Sequence, residues 1–144
     1  MIAFFDSSIL IWRVEGAAAF RDAAPDALAR LTALHPELQF AASRLARLEC
    51  RAKPLRDGDH ALLVQYERAF AHDLQVFEIS AMVVEQATIL RAEQGLKTAD
   101  AIHAATALLA APAILVTGDA VFERVPGLEV CLVKPAAPKR RSSR

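Results

Sequence analysis

The sequence predicts an α/β fold, with a central, mostly parallel sheet of about five strands and helices covering both faces. Three observations carry that expectation. Short apolar runs recur along the chain, separated by longer segments whose apolar positions fall at helical spacing. Strand and helix alternate throughout, the pattern of parallel strands joined by helical crossovers. With 144 residues, 54% of them hydrophobic, the chain can bury a core as one domain without a disulfide or structural metal.

The stretch "IAFF" (2–5) reads as a buried strand and "SSILIWRV" (7–14) as the helix that follows, which puts Asp6 at the carboxyl end of the strand. "DALARLTALHPE" (26–37) is a second helical stretch, ended near Pro36. "LQFAA" (38–42) is the next strand, and Ser43 is placed to cap "RLARLECRAK" (44–53), a helix that contains Glu49 and should stop at Pro54. "HALLVQYERAFAHD" (60–73) has an amphipathic helical pattern and leads to the strand "LQVFEI" (74–79). Ser80 then caps "AMVVEQATILRAEQ" (81–94), which Gly95 stops in a left-handed conformation. Thr98 is expected to cap the helix of "GLKTADAIHAATALLA" (95–110), whose otherwise small, apolar body carries Asp100 at its mouth. "AILVT" (113–117) is a buried strand ending at Gly118 and Asp119, "AVFERV" (120–125) a helical turn, and "LEVCLV" (128–133) the last strand.

No uninterrupted apolar stretch reaches the roughly 20 residues that span a bilayer. The apolar N-terminus lacks a basic leader and is broken by Asp6, which speaks against a signal peptide. A cytoplasmic protein without a membrane partner is the expectation. Cys50 and Cys131 stand far apart with no CxxC or Cys/His spacing, so reduced, packed cysteines are expected. The formal net charge is zero, yet "PAAPKRRSSR" (135–144) holds four of the 17 basic residues, leaving 13 basic against 17 acidic side chains before it. Residues 1–134 are therefore read as the domain and 135–144 as a basic, flexible tail. A net-negative body that handled nucleic acid would need something to offset its acids.

Each acid has an ordinary structural reading. Asp6 and Asp119 can cap the helical segments after them, Asp100 suits the positive end of its helix, and Glu49 can be a solvated helix residue. Together they read differently, because all four stand beside apolar sequence and two fall where the ligands of open α/β sheets gather. Crowding unpaired carboxylates in a partly buried place costs several kcal/mol each (order of magnitude). A divalent cation removes that cost, and an all-oxygen donor set suits Mg²⁺ or Mn²⁺ better than zinc.

"FFDSSILI", "LARLEC", "GLKTADAIHAATAL" and "LVTGDAVFERVPGLEV", in that order, resemble the PIN-domain family, and within it the VapC-type toxins of bacterial toxin–antitoxin pairs. The resemblance spans residues 1 to about 134. It implies a three-layer α/β/α domain, a metal-dependent endoribonuclease acting on RNA, a cognate antitoxin as protein partner, and a homodimer or toxin–antitoxin hetero-oligomer. By motif it implies that Asp6, Glu49, Asp100 and Asp119 hold Mg²⁺ or Mn²⁺ and carry catalysis. Thr117 matches the supporting hydroxyl and Ser7 the small polar residue after the first acid. Many relatives carry a further acid where this chain has Val121, so a second cation would have fewer protein ligands here. Arg13, Arg44, Arg47, Arg51 and Lys53 are candidates for the substrate rim, with solvated helix faces as the ordinary alternative. For His103 a hydrogen-bonded place at the edge of the core is expected ahead of contact with substrate, and for Cys50 simple packing. The Leu- and Ala-rich helices "ILIWRV" and "LARLTAL" are the expected antitoxin surface, with core packing as the alternative. Two other functions stay open: a phosphotransfer domain using an aspartate nucleophile, which Ser8 two places after Asp6 does not favour, and a PIN-fold binding module with negligible catalysis.

Overall fold

The computed structural model describes residues 1–16 and 18–135. Among these residues five strands form one sheet: β1 (Ile2–Phe5), β2 (Gln39–Ser43), β3 (Gln75–Phe77), β4 (Ala113–Thr117) and β5 (Glu129–Leu132). Their order across the sheet is β3-β2-β1-β4-β5, and all four pairings are parallel. Six α-helices among the described residues connect them: α1 (Ser7–Glu15), α2 (Ala23–Leu34), α3 (Arg44–Asp57), α4 (His60–Arg68), α5 (Ala81–Gln94) and α6 (Thr98–Leu109).

The pleat of β1 sorts the core into two layers. Ala3 and Phe5 face one side, where they pack with Ile9 and Leu10 of α1, Leu31 of α2, Ala46 and Cys50 of α3 and Tyr66 of α4. Phe4 faces the other, packing with Val83 and Leu90 of α5, Ala101, Ala104, Ala105 and Ala107 of α6, and Phe122. The result is a three-layer α/β/α domain. Residues 136–144, most of the expected tail, lie outside the described residues.

Several local expectations give way to packing. Pro54 does not end α3; it is buried in the last turn of the helix, which continues to Asp57 and stops at Gly58 (φ 68°). A proline forfeits one intrahelical bond, a loss that burial of its ring against the core offsets at this position. The segment expected as one helix over 60–73 splits into α4 and a five-residue π turn, Ala69–Asp73. Helix α2 starts three residues before the expected Asp26, with Pro25 accommodated in its first turn. Thr98 is the first residue of α6; the cap position belongs to Lys97, whose side chain makes no capping bond. A 3-10 turn at Ala18–Phe20, unmarked in the sequence, follows α1.

Candidate active site

Strand order reverses at β1, which sends β2 to one side while β4 lies on the other. The crevice beyond the carboxyl ends of β1 and β4 is thus the topological switch point of the sheet, where open α/β folds bind ligands. Asp6 follows β1, and Thr117, Gly118 and Asp119 close β4. A cavity of about 430 Å³ opens there, and Asp6, Ser7, Glu49, Asp100, His103 and Asp119 are among its lining residues. All four expected acids are therefore brought to one place from four separate segments.

Asp6 is 7% exposed and heavily engaged. Its Oδ1 caps α1 by accepting the Ile9 amide at 3.1 Å and also accepts the Ser8 hydroxyl at 2.8 Å. Its Oδ2 accepts the hydroxyl of Thr117, itself fully buried. Thr117 in turn accepts the Asp119 amide at 3.1 Å, so one hydroxyl ties the ends of β1 and β4 together. Asp119 caps the 3-10 turn Ala120–Arg124 by accepting the Val121 amide at 2.9 Å. Both aspartates fill the ordinary capping role and line the cavity as well.

Glu49 projects from α3 and is held by Ser7, whose hydroxyl donates to its Oε1 at 2.7 Å, and by His103, whose Nε2 lies 2.5 Å from the same oxygen. The His103 hydrogen bond, ahead of the one from Ser7, holds the Glu49 carboxyl below the usual glutamate range against the opposing effect of burial. Asp100, in the first turn of α6, makes no hydrogen bond among the described residues. Burial first, then the charges of Asp119 and Glu49, push its carboxyl above the usual aspartate range, while His103 and Lys97 pull it back. The setting of Asp100 thus works against its charged form.

The cavity wall includes residues that the sequence did not single out. Phe20, carried in by the 3-10 turn after α1, lies against Gly118 so closely that a Cβ there would sit 2.5 Å from the ring. The glycine of "TGD" is therefore a packing requirement. Ala120 and Phe122 line the cavity as well, and so does Ser8, whose hydroxyl donates to Asp6 two residues before it. Cys50 is buried beside Glu49, and burial pushes its thiol up to about 12, which suits a packed cysteine.

None of the five candidate rim cations lines the cavity. Arg44 pairs with Glu78, and Arg47 and Arg51 both reach Glu67. Arg13 lies over the rings of Phe40 and Phe5. Lys53 borders a separate cavity behind Glu49, together with Glu15, Asp57 and Asp59. Of the two stretches expected to meet a partner, Ile9, Leu10 and Leu31 are in the core and Leu34 is 73% exposed; Leu48 and Leu55 of α3 are also exposed, at 63% and 65%, and flank a groove with Leu45 and Ile79. Among the described residues no helix is long and apolar enough to cross a membrane.

The PIN-domain family model matches residues 3–128, and the chain belongs to that family. Solved structures of VapBC and other toxin–antitoxin complexes share its architecture. A chain of the VapBC2 complex from Rickettsia felis, bound to a promoter DNA fragment, superposes with a TM-score of 0.70 at 20% identity, covering 92% of this chain and 98% of that one. A toxin–antitoxin complex from Klebsiella pneumoniae gives 0.66 at 26% identity over 88% and 94%. DNA-bound VapBC from Salmonella typhimurium gives 0.68 at 18% identity over 90% and 97%. Comparison with curated protein sequences gives no significant match.

Proposed function

We propose that the chain is the toxin of a toxin–antitoxin pair and acts as a Mg²⁺- or Mn²⁺-dependent endoribonuclease, with Asp6, Glu49, Asp100 and Asp119 as its acidic quartet. The observation that carries this reading is the convergence of those four carboxylates on one cavity at the switch point of a PIN domain. Their chemistry fits a hard divalent cation, since every donor is oxygen and Asp100 is disfavoured as an anion by burial and then by its acidic neighbours. Among the described residues no three His, Cys, Asp or Glu side chains close into a ready metal cage. Mg²⁺ and Mn²⁺ keep several waters and take few direct protein ligands, and an all-oxygen donor set suits them better than it suits a tetrahedral zinc.

When bound, such a cation lowers the pKa of a coordinated water and shields charge on phosphate oxygens. The chain supplies positioning. Thr117 and the Ile9 amide fix Asp6 by its two oxygens, and Ser7 and His103 fix Glu49. Asp100 and Asp119, with fewer hydrogen bonds, are the acids free to reorient toward a ligand.

An antitoxin is the protein partner in this reading, supported by the similarity to a toxin–antitoxin complex at 26% identity and by the exposed apolar groove along α3. Cleavage of single-stranded RNA by highly purified protein is the test of function. Activity should appear with Mg²⁺ or Mn²⁺, vanish with chelator, and be lost in Asp6→Asn and Asp119→Asn. Asparagine caps helices as well as aspartate does, so a loss in these variants reports on chemistry rather than on a frayed helix end. Undiminished activity in both would remove these residues from the mechanism.

A further inference from the structure

His103 is 3% exposed, yet its ring sits against an ionisable partner at the edge of the cavity. The ring Nε2 and the Ser7 hydroxyl converge on one oxygen, Oε1 of Glu49, and no protein donor among the described residues reaches Oε2. We propose that His103 is a positioning residue: with Ser7 it pins Glu49 by Oε1, so that Oε2 alone is presented to the acidic cavity. The inference rests on the reading of Glu49 as a metal-holding acid.

An ionised carboxylate can only accept hydrogen bonds, so the ring must donate from Nε2. The other ring nitrogen, Nδ1, is buried and has no hydrogen-bond partner among the described residues. A proton there would be an orphaned buried donor, which is costly. Both facts place the ring's hydrogen-bonding proton on Nε2. His103 also lies three residues after Asp100, on the same side of α6, so one helix places Asp100 at the cavity and fixes the rotamer of Glu49 on α3. Without that anchor Glu49, the partner of like-charged Asp100, would be free to swing away from it.

A packing role would be met by any side chain of similar volume, whereas a positioning role needs a donor. Glutamine carries an amide N–H₂ near the place of Nε2, and leucine fills space without one. Mn²⁺ uptake, followed by the electron-spin resonance of the free ion, should therefore be compared among folded wild type, His103→Gln, His103→Leu and Ser7→Ala. His103→Leu should bind Mn²⁺ about 10- to 100-fold more weakly, as for other groups that orient a metal ligand. His103→Gln should recover most of that loss, and Ser7→Ala, which removes the second donor from the cavity side, should weaken binding by a smaller factor. ¹⁵N spectra of the wild-type ring in chelator should show the proton on Nε2. Equal affinity in His103→Leu and wild type, or no recovery in His103→Gln, would overturn the proposal. So would a ring protonated only on Nδ1, a measurement that remains decisive if His103→Leu does not fold. Absence of Mn²⁺ uptake by wild type is a different failure: it would sink the metal reading, while the ring spectrum would still decide whether His103 anchors Glu49.

Discussion

Single side chains at the cavity carry opposite pH signatures. The Glu49 carboxyl is held below its ordinary value of 4.5, so the stability it contributes is present above that value and is lost as pH falls through the folded-state value. In chelator, Glu49→Gln should be less stable than wild type at neutral pH, by no more than about 1 kcal/mol because the group is partly exposed and screened. That difference should shrink as pH drops below 4.5, which urea unfolding across the acid limb would register; a difference independent of pH would mean that the His103 contact does not favour the ionised form. Gly118→Ala tests the wall instead. Its new Cβ would collide with the Phe20 ring, and displacing that ring should cost about 1–2 kcal/mol in urea unfolding. A neutral effect would show that Phe20 is not fixed against the turn. The two acids at strand ends were legible in the sequence because an apolar strand running straight into an acid and a helix is a strong local pattern. Phe20 was not, because a loop carries it to the site and no periodicity marks that loop.

Helices and strands were legible wherever local chemistry and packing agree. Ser43 and Ser80 do cap α3 and α5, accepting the amides of Leu45 and Val83. Ser80→Ala should therefore cost about 1 kcal/mol in urea unfolding and leave any response to Mn²⁺ intact, since Ser80 lies outside the acidic cavity. A changed metal response would mean that α5 transmits to the site. Pro54 misled because burial outweighs its breaking tendency in a last turn that the core holds. The arginines of α3 illustrate a signal that was present and unused. At 100° per residue, Arg44, Arg47 and Arg51 fall on one face and Glu49 about 140° from Arg44, so they were never able to rim the same cavity. What sequence could not supply is their actual partners, Glu78 and Glu67, which come from the end of β3 and from α4.

At the scale of the whole molecule, alternation of strand and helix was enough to anticipate a parallel sheet with two helical layers, but not the order β3-β2-β1-β4-β5 that creates the crevice. That order is why Asp6 and Asp119, 113 positions apart in the chain, meet through one threonine hydroxyl. The same crevice gathers Glu49 and Asp100, and an acid gathered there without a counter-charge should weaken the fold. Asp100 is the clearest case. Its carboxyl is pushed above the ordinary 3.8, so it favours the folded state fully only below that value and penalises it as pH rises through the folded-state value.

The claim that these four acids form one cation site is tested most directly by thermal melts of wild type and Asp100→Asn at neutral pH, in chelator and in millimolar Mn²⁺. In chelator the variant should melt slightly higher, by about 1–3 °C, a small gain because the carboxyl is half exposed. Mn²⁺ should raise the melting temperature of wild type, since it binds only the assembled site, and raise that of the variant much less. Equal responses to Mn²⁺ in the two proteins, or none in either, would contradict the account and leave Asp100 as an acid at the mouth of a helix.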